Sequence, residues 1–289
     1  MRMSECRRIT APHAGPFAVV MVLTVVFATG ATAADLVQPQ EQVRGDIRLR
    51  RLTETVWLHT SEKEITGWGK VSSNGLIVHL DDQVWLIDTA WTDAATAEIA
   101  DWVISTFGQP LTGAVFTHAH EDKMGGVDAL RTRGIATWAH PRSNVLAPTR
   151  GLVPAAADLA LDADGEARAP PAGGDGIAGR PQASVLPPGL SVFYPGPAHT
   201  EDNLVVGVEG AGVLFGGCMV RAAFSRSLGN LADADVARWA GSVAAVEARF
   251  PRAQIVVPSH GPPGGRELLA LTHRLAASAA RGAGQESGT

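Results

Sequence analysis

Cysteine is scarce: the 289 residues hold two, Cys6 and Cys218. A long apolar run is missing too. The most apolar stretch, Phe17 to Ala28 (FAVVMVLTVVFA), is short of the roughly twenty residues that cross a bilayer. There is no excess of basic charge. The formal net charge is -5, which leaves no electrostatic footprint for a nucleic acid. No S-x-x-K or G-x-S-x-G stretch occurs, so the usual settings of a serine nucleophile are absent. No heptad stands out, and a monomer is the default expectation. What remains is ordinary globular material, 45% hydrophobic and 18% charged, long enough for one large core.

The N-terminus has its own character. Arg2, Arg7 and Arg8 precede the apolar run, and Ala31-Thr32-Ala33 follows it with small residues at A-x-A spacing. This predicts a secretory signal peptide over residues 1–33, with a membrane anchor as the alternative. Cleavage near Ala33 delivers residues 34–289 to the periplasm, free of the membrane. It removes three arginines and Glu5, so the mature charge is 21 minus 28, or -7. It also removes Cys6. Cys218 is then an unpaired thiol in an oxidising compartment, either a buried small hydrophobe or a metal ligand.

Along the rest of the chain, strands are expected at 46–60, 75–80, 83–89, in LTGAVFT and in IATWAH. Helices are expected at 92–107 and 124–133. Residues 154–188 are rich in Gly, Pro and Ala without periodicity and predict a long surface loop. Strands resume in LSVFYPG, NLVVGVEG, GVLFGG and AQIVVPS. Helices follow at 233–249 and 264–281, with a frayed tail over 282–289. The alternation indicates an α/β layered fold.

Chemistry-bearing residues gather where strands should stop. In THAHEDKMGG, His118 and His120 are two apart on extended chain and point the same way, so both can reach one ion. Asp122 can reach a neighbouring ion. Gly125 and Gly126 permit close approach as the chain turns into a helix. His199 (PGPAHTEDN), Cys218 (after GVLFGG) and His260 (after IVVPS) recur in matching contexts. Imidazole, thiolate and carboxylate together favour zinc. His59, His79, His140 and His273 read as structural.

The segments LIDTAW (86–91), THAHEDKMGG (117–126), FYPGPAHTEDN (193–203), FGGCMV (215–220), SLGNLADAD (227–235) and VPSHG (257–261) together resemble the class B metallo-β-lactamases. The resemblance is to the di-zinc subclass and spans roughly Leu49 to Leu275. It implies a four-layer αββα sandwich and two Zn2+ per chain. His118, His120 and His199 would bind the first ion, and Asp122, Cys218 and His260 the second. A hydroxide held by zinc would attack the β-lactam amide of penicillins, cephalosporins and carbapenems, giving antibiotic resistance. Asp122 and Asn230 would be catalytic groups. Asn230, Arg221 and Trp68, the last at the tip of a mobile hairpin (64–74), would contact substrate. Asp88 would lie buried behind the metal ligands. Arg221 stands where many relatives carry lysine, and Arg226 is the alternative anion contact.

Two other functions stay open on these residues. One is a thioesterase, lactonase or phosphodiesterase of the wider superfamily, although those commonly place histidine where Lys123 stands. The other is a secreted zinc-binding protein without catalysis.

Overall fold

A computed structural model of the chain describes residues 41–168 and 186–286. The expected signal peptide, residues 169–185 of the expected loop and residues 287–289 lie outside them.

Eight strands lie side by side in chain order. They are β1 (Glu41–Arg44), β2 (Ile47–Arg51), β3 (Val56–Ile65), β4 (Gly69–Leu80), β5 (Gln83–Ile87), β6 (Gly113–Phe116), β7 (Ala136–Ala139) and β8 (Ala157–Asp158). Short turns join β1 to β5, so these strands pair antiparallel. From β5 to β8 the pairing is parallel. Parallel neighbours need crossovers. Helix α1 (Asp93–Phe107) supplies the first, α2 (Glu121–Met124) and α3 (Val127–Thr132) the second, and α4 (Pro141–Thr149) the third.

After a small hairpin of β9 (Ala160–Leu161) and β10 (Ala167–Arg168), a second sheet follows. It orders β11 (Leu190–Phe193), β12 (Val205–Val208), β13 (Val213–Gly217) and β14 (Ile255–Pro258). Helix α5 (Val236–Arg249) crosses from β13 to its parallel neighbour β14, and α6 (Glu267–Glu286) closes the described chain.

Period-two alternation makes the layers. On β4 and β5, Leu76, Val78, Trp85 and Ile87 pack with Val206, Phe215 and Val257 of the second sheet. Their neighbours Ile77 and Leu86 pack on the opposite face, with Ile99 and Val103 of α1 and Leu130 of α3. On the second sheet, Val205, Leu214 and Val256 face Trp239 and Val243 of α5 and Leu268 of α6. Helices therefore cover the outer face of each sheet, and the two inner faces form the central core.

Several expectations need correction. Residues 46–60 are two strands broken at 52–55. The helix expected over 124–133 is two short helices, α2 and α3, split at Gly125-Gly126. Helix α4 was not anticipated, although Pro141 at its first position and the His140 imidazole accepting the Arg142 N–H are start signals. The segment 154–168 is not loop throughout. Ala157–Asp158 pairs with β7, and β9 and β10 pair with each other. Residues 282–286, expected to fray, continue α6. Among the described residues no helix is long and apolar enough to cross a membrane.

Candidate metal centre

Beyond β6 the chain bends over 117–120, where the His120 N–H donates to the His118 carbonyl at 3.0 Å, before His120 caps α2. This bend, rather than the extended chain expected, brings His118 and His120 together. His118 Nε2 lies 3.1 Å from His120 Nδ1, and His199 Nε2 lies 3.3 Å from the same atom. A second group adjoins it. Cys218 Sγ, immediately after β13, is 3.5 Å from Asp122 Oδ2 and 3.4 Å from His260 Nε2. His260 Nε2 is 3.6 Å from Asp122 Oδ2. His118 also falls within 4.8 Å of Asp122 and Cys218 donor atoms, so the two groups are neighbours.

The donor set fits zinc. Tetrahedral coordination at about 2.0–2.1 Å for nitrogen and about 2.3 Å for sulfur puts donors about 3.3–3.6 Å apart. The observed separations of 3.1–3.6 Å cluster around those edges. Protonation agrees. Burial, then the neighbouring His120, holds His118 well below the ordinary imidazole range and takes His199 down to about 3. Burial lowers His260 as well. Neutral imidazoles turn lone pairs toward a common point, which without a cation would repel. Burial, then Asp122, pushes the Cys218 thiol up. A bound metal reverses that, because coordination deprotonates a thiol.

His260 and His118 are held from behind, whereas His199 Nδ1 is buried without a partner. His260 Nδ1 lies 2.7 Å from the Ser72 carbonyl. His118 Nδ1 lies 3.2 Å from Thr117 Oγ1, which donates to Asp88 Oδ2 at 2.8 Å. Asp88 Oδ1 takes the Thr117 N–H at 2.7 Å. Asp88 is fully buried with φ +61°, the left-handed region rare for non-glycine residues. Burial raises its carboxyl to about 7 against the pull of Lys123 and Thr117.

Lys123, next to Asp122 in the chain and assigned no catalytic role from sequence, lies directly behind that carboxylate. It is fully buried, 3.2 Å from Asp122 Oδ2 and 3.7 Å from Asp88 Oδ2. It donates to Ser73 Oγ at 2.7 Å and to the Asn74 carbonyl at 3.0 Å. Burial would raise the Asp122 carboxyl. Lys123, then His260 and His118, more than offset that and hold it well below its usual range.

Asp233 was missed by sequence reasoning. Its Oδ2 lies 2.8 Å from His120 Nε2 and 3.0 Å from Arg150 Nη2. The His120 hydrogen bond holds its carboxyl below the usual range. It sits inside the SLGNLADAD segment, but nothing local distinguishes a carboxylate that reaches 113 residues back.

His59, read as structural, stacks over Gly75 on the paired strand; a Cβ there would collide with its ring. Its Nε2 is 3.1 Å from the Asp88 carbonyl, and its Nδ1 is buried without a partner. Burial, then Lys123, takes its pKa down to about 4 from 6.5. The unfolded chain therefore takes up this proton first as pH falls. The stability owed to a neutral His59 is full above about 6.5 and disappears as pH drops through about 4, a swing of about 3 kcal/mol. In urea unfolding of the metal-free protein, His59→Gln should flatten the loss between pH 7 and pH 4. An identical pH slope in variant and wild type would refute this.

His120, Asp122, His199, Cys218 and His260 line a cleft of about 670 Å³, and His118 lies buried beside them. Trp68, 67% exposed at the tip of the β3–β4 hairpin, lines one side. Arg221 and Asn230 line the other. Arg221 is half-buried, its Nε has no partner, and burial lowers its pKa. Asn230 Oδ1 accepts the Ala232 N–H at 3.0 Å, which leaves its amide nitrogen as the donor. Arg226 is exposed and does not line the cleft.

The chain is similar to known proteins in sequence and in fold. The family model described as the metallo-beta-lactamase superfamily matches residues 68–260. A metallo-beta-lactamase type 2 from Bacteroides fragilis is 33% identical over 242 residues, 84% of this chain and 90% of the relative. Among solved structures, a metallo-beta-lactamase from Erythrobacter litoralis is 44% identical with a TM-score of 0.75, covering 82% of this chain and 99% of that one. The metallo-beta-lactamase FIM-1 from Pseudomonas aeruginosa, crystallised in a mono-zinc form, is 49% identical with a TM-score of 0.72, covering 81% and 96%. The chain belongs to the metallo-beta-lactamase superfamily. Its layers are those the resemblance implied.

Proposed function

We propose that this chain hydrolyses the amide bond of β-lactam antibiotics with zinc, and that two ions occupy its two donor groups. The observation that carries this is the pair of adjoining three-donor groups at one cleft. A closed structural zinc site has four protein ligands, whereas three per ion leaves positions open for chemistry. The relatives named above as metallo-beta-lactamases support the choice of substrate.

His118, His120 and His199 would hold the first ion, and Asp122, Cys218 and His260 the second. Zinc there supplies a Lewis acid that polarises a carbonyl and brings the pKa of water from about 16 to about 7. The chain's own residues orient the substrate. The Arg221 guanidinium, with an unpartnered buried Nε, offers donors for the carboxylate next to the lactam ring. The Asn230 amide offers an N–H toward the developing oxyanion. Trp68 covers the apolar part of the ligand and excludes water. Lys123 cannot act as a ligand to the second ion in the manner of the histidine of related thioesterases and lactonases, because it is a buried cation. That supports lactam over ester chemistry. The residues of one copy supply every donor, so a monomer suffices. The basic, apolar and small-residue order of residues 1–33 supports export to the periplasm.

Purified protein should hydrolyse imipenem and a cephalosporin with zinc, lose that activity in EDTA and regain it when zinc is restored. Absence of turnover despite two bound ions would defeat the lactamase function. Arg221→Glu should raise KM for carboxylate-bearing lactams by about tenfold to hundredfold, the worth of a charged hydrogen bond. An unchanged KM would remove Arg221 from substrate binding.

A further inference from the structure

We propose that Arg150 is a positioning residue for the first metal site, clamping Asp233 onto His120 and fixing the loop that carries Asn230. This rests on the metal-dependent function above.

Arg150 follows α4 and reaches two partners with one guanidinium. Its Nη1 donates to the Ala119 carbonyl at 2.8 Å, between the two histidines. Its Nη2 lies 3.0 Å from Asp233 Oδ2, the same oxygen that stands 2.8 Å from His120 Nε2. The tautomer follows from these partners: Nε2 carries the proton, and Nδ1 is left as the donor toward the metal. Ala119 is fully buried, so its carbonyl needs this partner. Asp233 lies on an exposed loop, with its side chain 41% accessible. The ends of that loop are fixed by buried Leu228 and by the Asp235 N–H donating to the Ala198 carbonyl at 2.9 Å, whereas its Asp233 side chain is held by His120 and Arg150. Arg150 thus ties three segments together: the end of α4, the histidine segment and the loop from Leu228 to Asp235. Asn230 is three residues from Asp233 on that loop. The planar fork serves both partners at once, which a lysine ammonium on a flexible stem cannot reproduce.

The test compares Arg150→Ala and Arg150→Lys with wild type. Affinity of each site is measured by zinc competition against a chelator and by cobalt(II) absorption, in which the Cys218 thiolate reports the second site. The metal-free melting temperature, kcat and KM are measured alongside. Arg150→Ala should weaken the first site by about tenfold to hundredfold, the usual cost of losing a group behind a ligand. The cobalt–thiolate signal should stay as in wild type, and Arg150→Lys should recover part of the loss. At limiting zinc, kcat should fall and excess zinc should restore it. Wild-type affinity at the first site in Arg150→Ala would overturn the proposal. So would a raised KM with unchanged metal binding, which would make Arg150 a substrate contact. Equal weakening of both sites with a lowered metal-free melting temperature would reduce Arg150 to a structural role. Metal binding is read apart from turnover. A wild type that loads metal but leaves lactams intact defeats the lactamase function, and the Arg150→Ala comparison still decides this proposal.

Discussion

Lys123→Met is expected to destabilise the metal-free protein by about 3–5 kcal/mol, the cost of removing one partner from a buried ion pair. The size follows from what is left behind. Asp122 loses a cation at 3.2 Å, Asp88 loses one at 3.7 Å, and the Asn74 carbonyl loses its lysine donor. Both carboxylates are buried, so neither can turn to water instead. Part of the loss should return at low pH, where protonation removes the unpaired charge. The sign is the same for both acids, because Lys123 lowers each carboxyl and its loss raises each, but the starting points differ. Asp88, already near 7, can take up its proton close to neutrality, whereas Asp122, held well below its usual range in wild type, needs a lower pH. Urea unfolding with EDTA present measures the change. A difference below about 0.5 kcal/mol, the range of ordinary surface substitutions, would show that the pair is not buried as described.

Cys218→Ser should weaken the second metal site by more than about a hundredfold, beyond the range typical of changes to groups that only support a ligand. A serine hydroxyl is a poor stand-in. It does not ionise as readily as a thiol, and it is a harder donor than zinc prefers beside imidazole. The first site should keep its affinity, because His118, His120 and His199 do not touch the substituted atom. Zinc titration would then give one tight ion in the variant, and hydrolysis would become limited by zinc supply. Wild-type stoichiometry and rate at limiting zinc would exclude Cys218 as a ligand.

Much of this site could be read directly from the sequence because the residues that make it are chemically rare in their settings. Two histidines at i and i+2 after an apolar run, and one cysteine at a strand end, narrow the chemistry sharply. His199 and His260 were recognisable by the same strand-end position. The supporting residues were not. Arg150 and Asp233 are ordinary surface types in their own segments, and only the fold brings them to His120. Lys123, next to Asp122, could be expected to touch the residues behind the metal ligands, but its full burial could not. Its burial comes from strands β3 to β5 closing around Ser73, Asn74 and Asp88, which no local pattern encodes. The fold shows the same division. Long alternating strands such as β4 were legible, while Ala157–Asp158 and the β9–β10 hairpin are too short to show a period and depend on neighbours for their pairing. Pro148 inside α4 works against a helical reading, and tertiary packing overrides it.

Neither donor group belongs to one sheet. His118, His120 and Asp122 leave the end of β6, whereas His199, Cys218 and His260 belong to the segments of the four-stranded sheet. Any excursion that parts the two sheets must therefore break both donor groups, and release whatever metal they hold, before the central core can admit water. Free metal at a hundredfold excess over its dissociation constant resists such opening by about 2.7 kcal/mol per site. Deep amides such as those of Val115 and Val206 then exchange with solvent at rates governed by metal supply rather than by packing alone. The breathing of the core is in this way set by the ionic composition of the compartment around it.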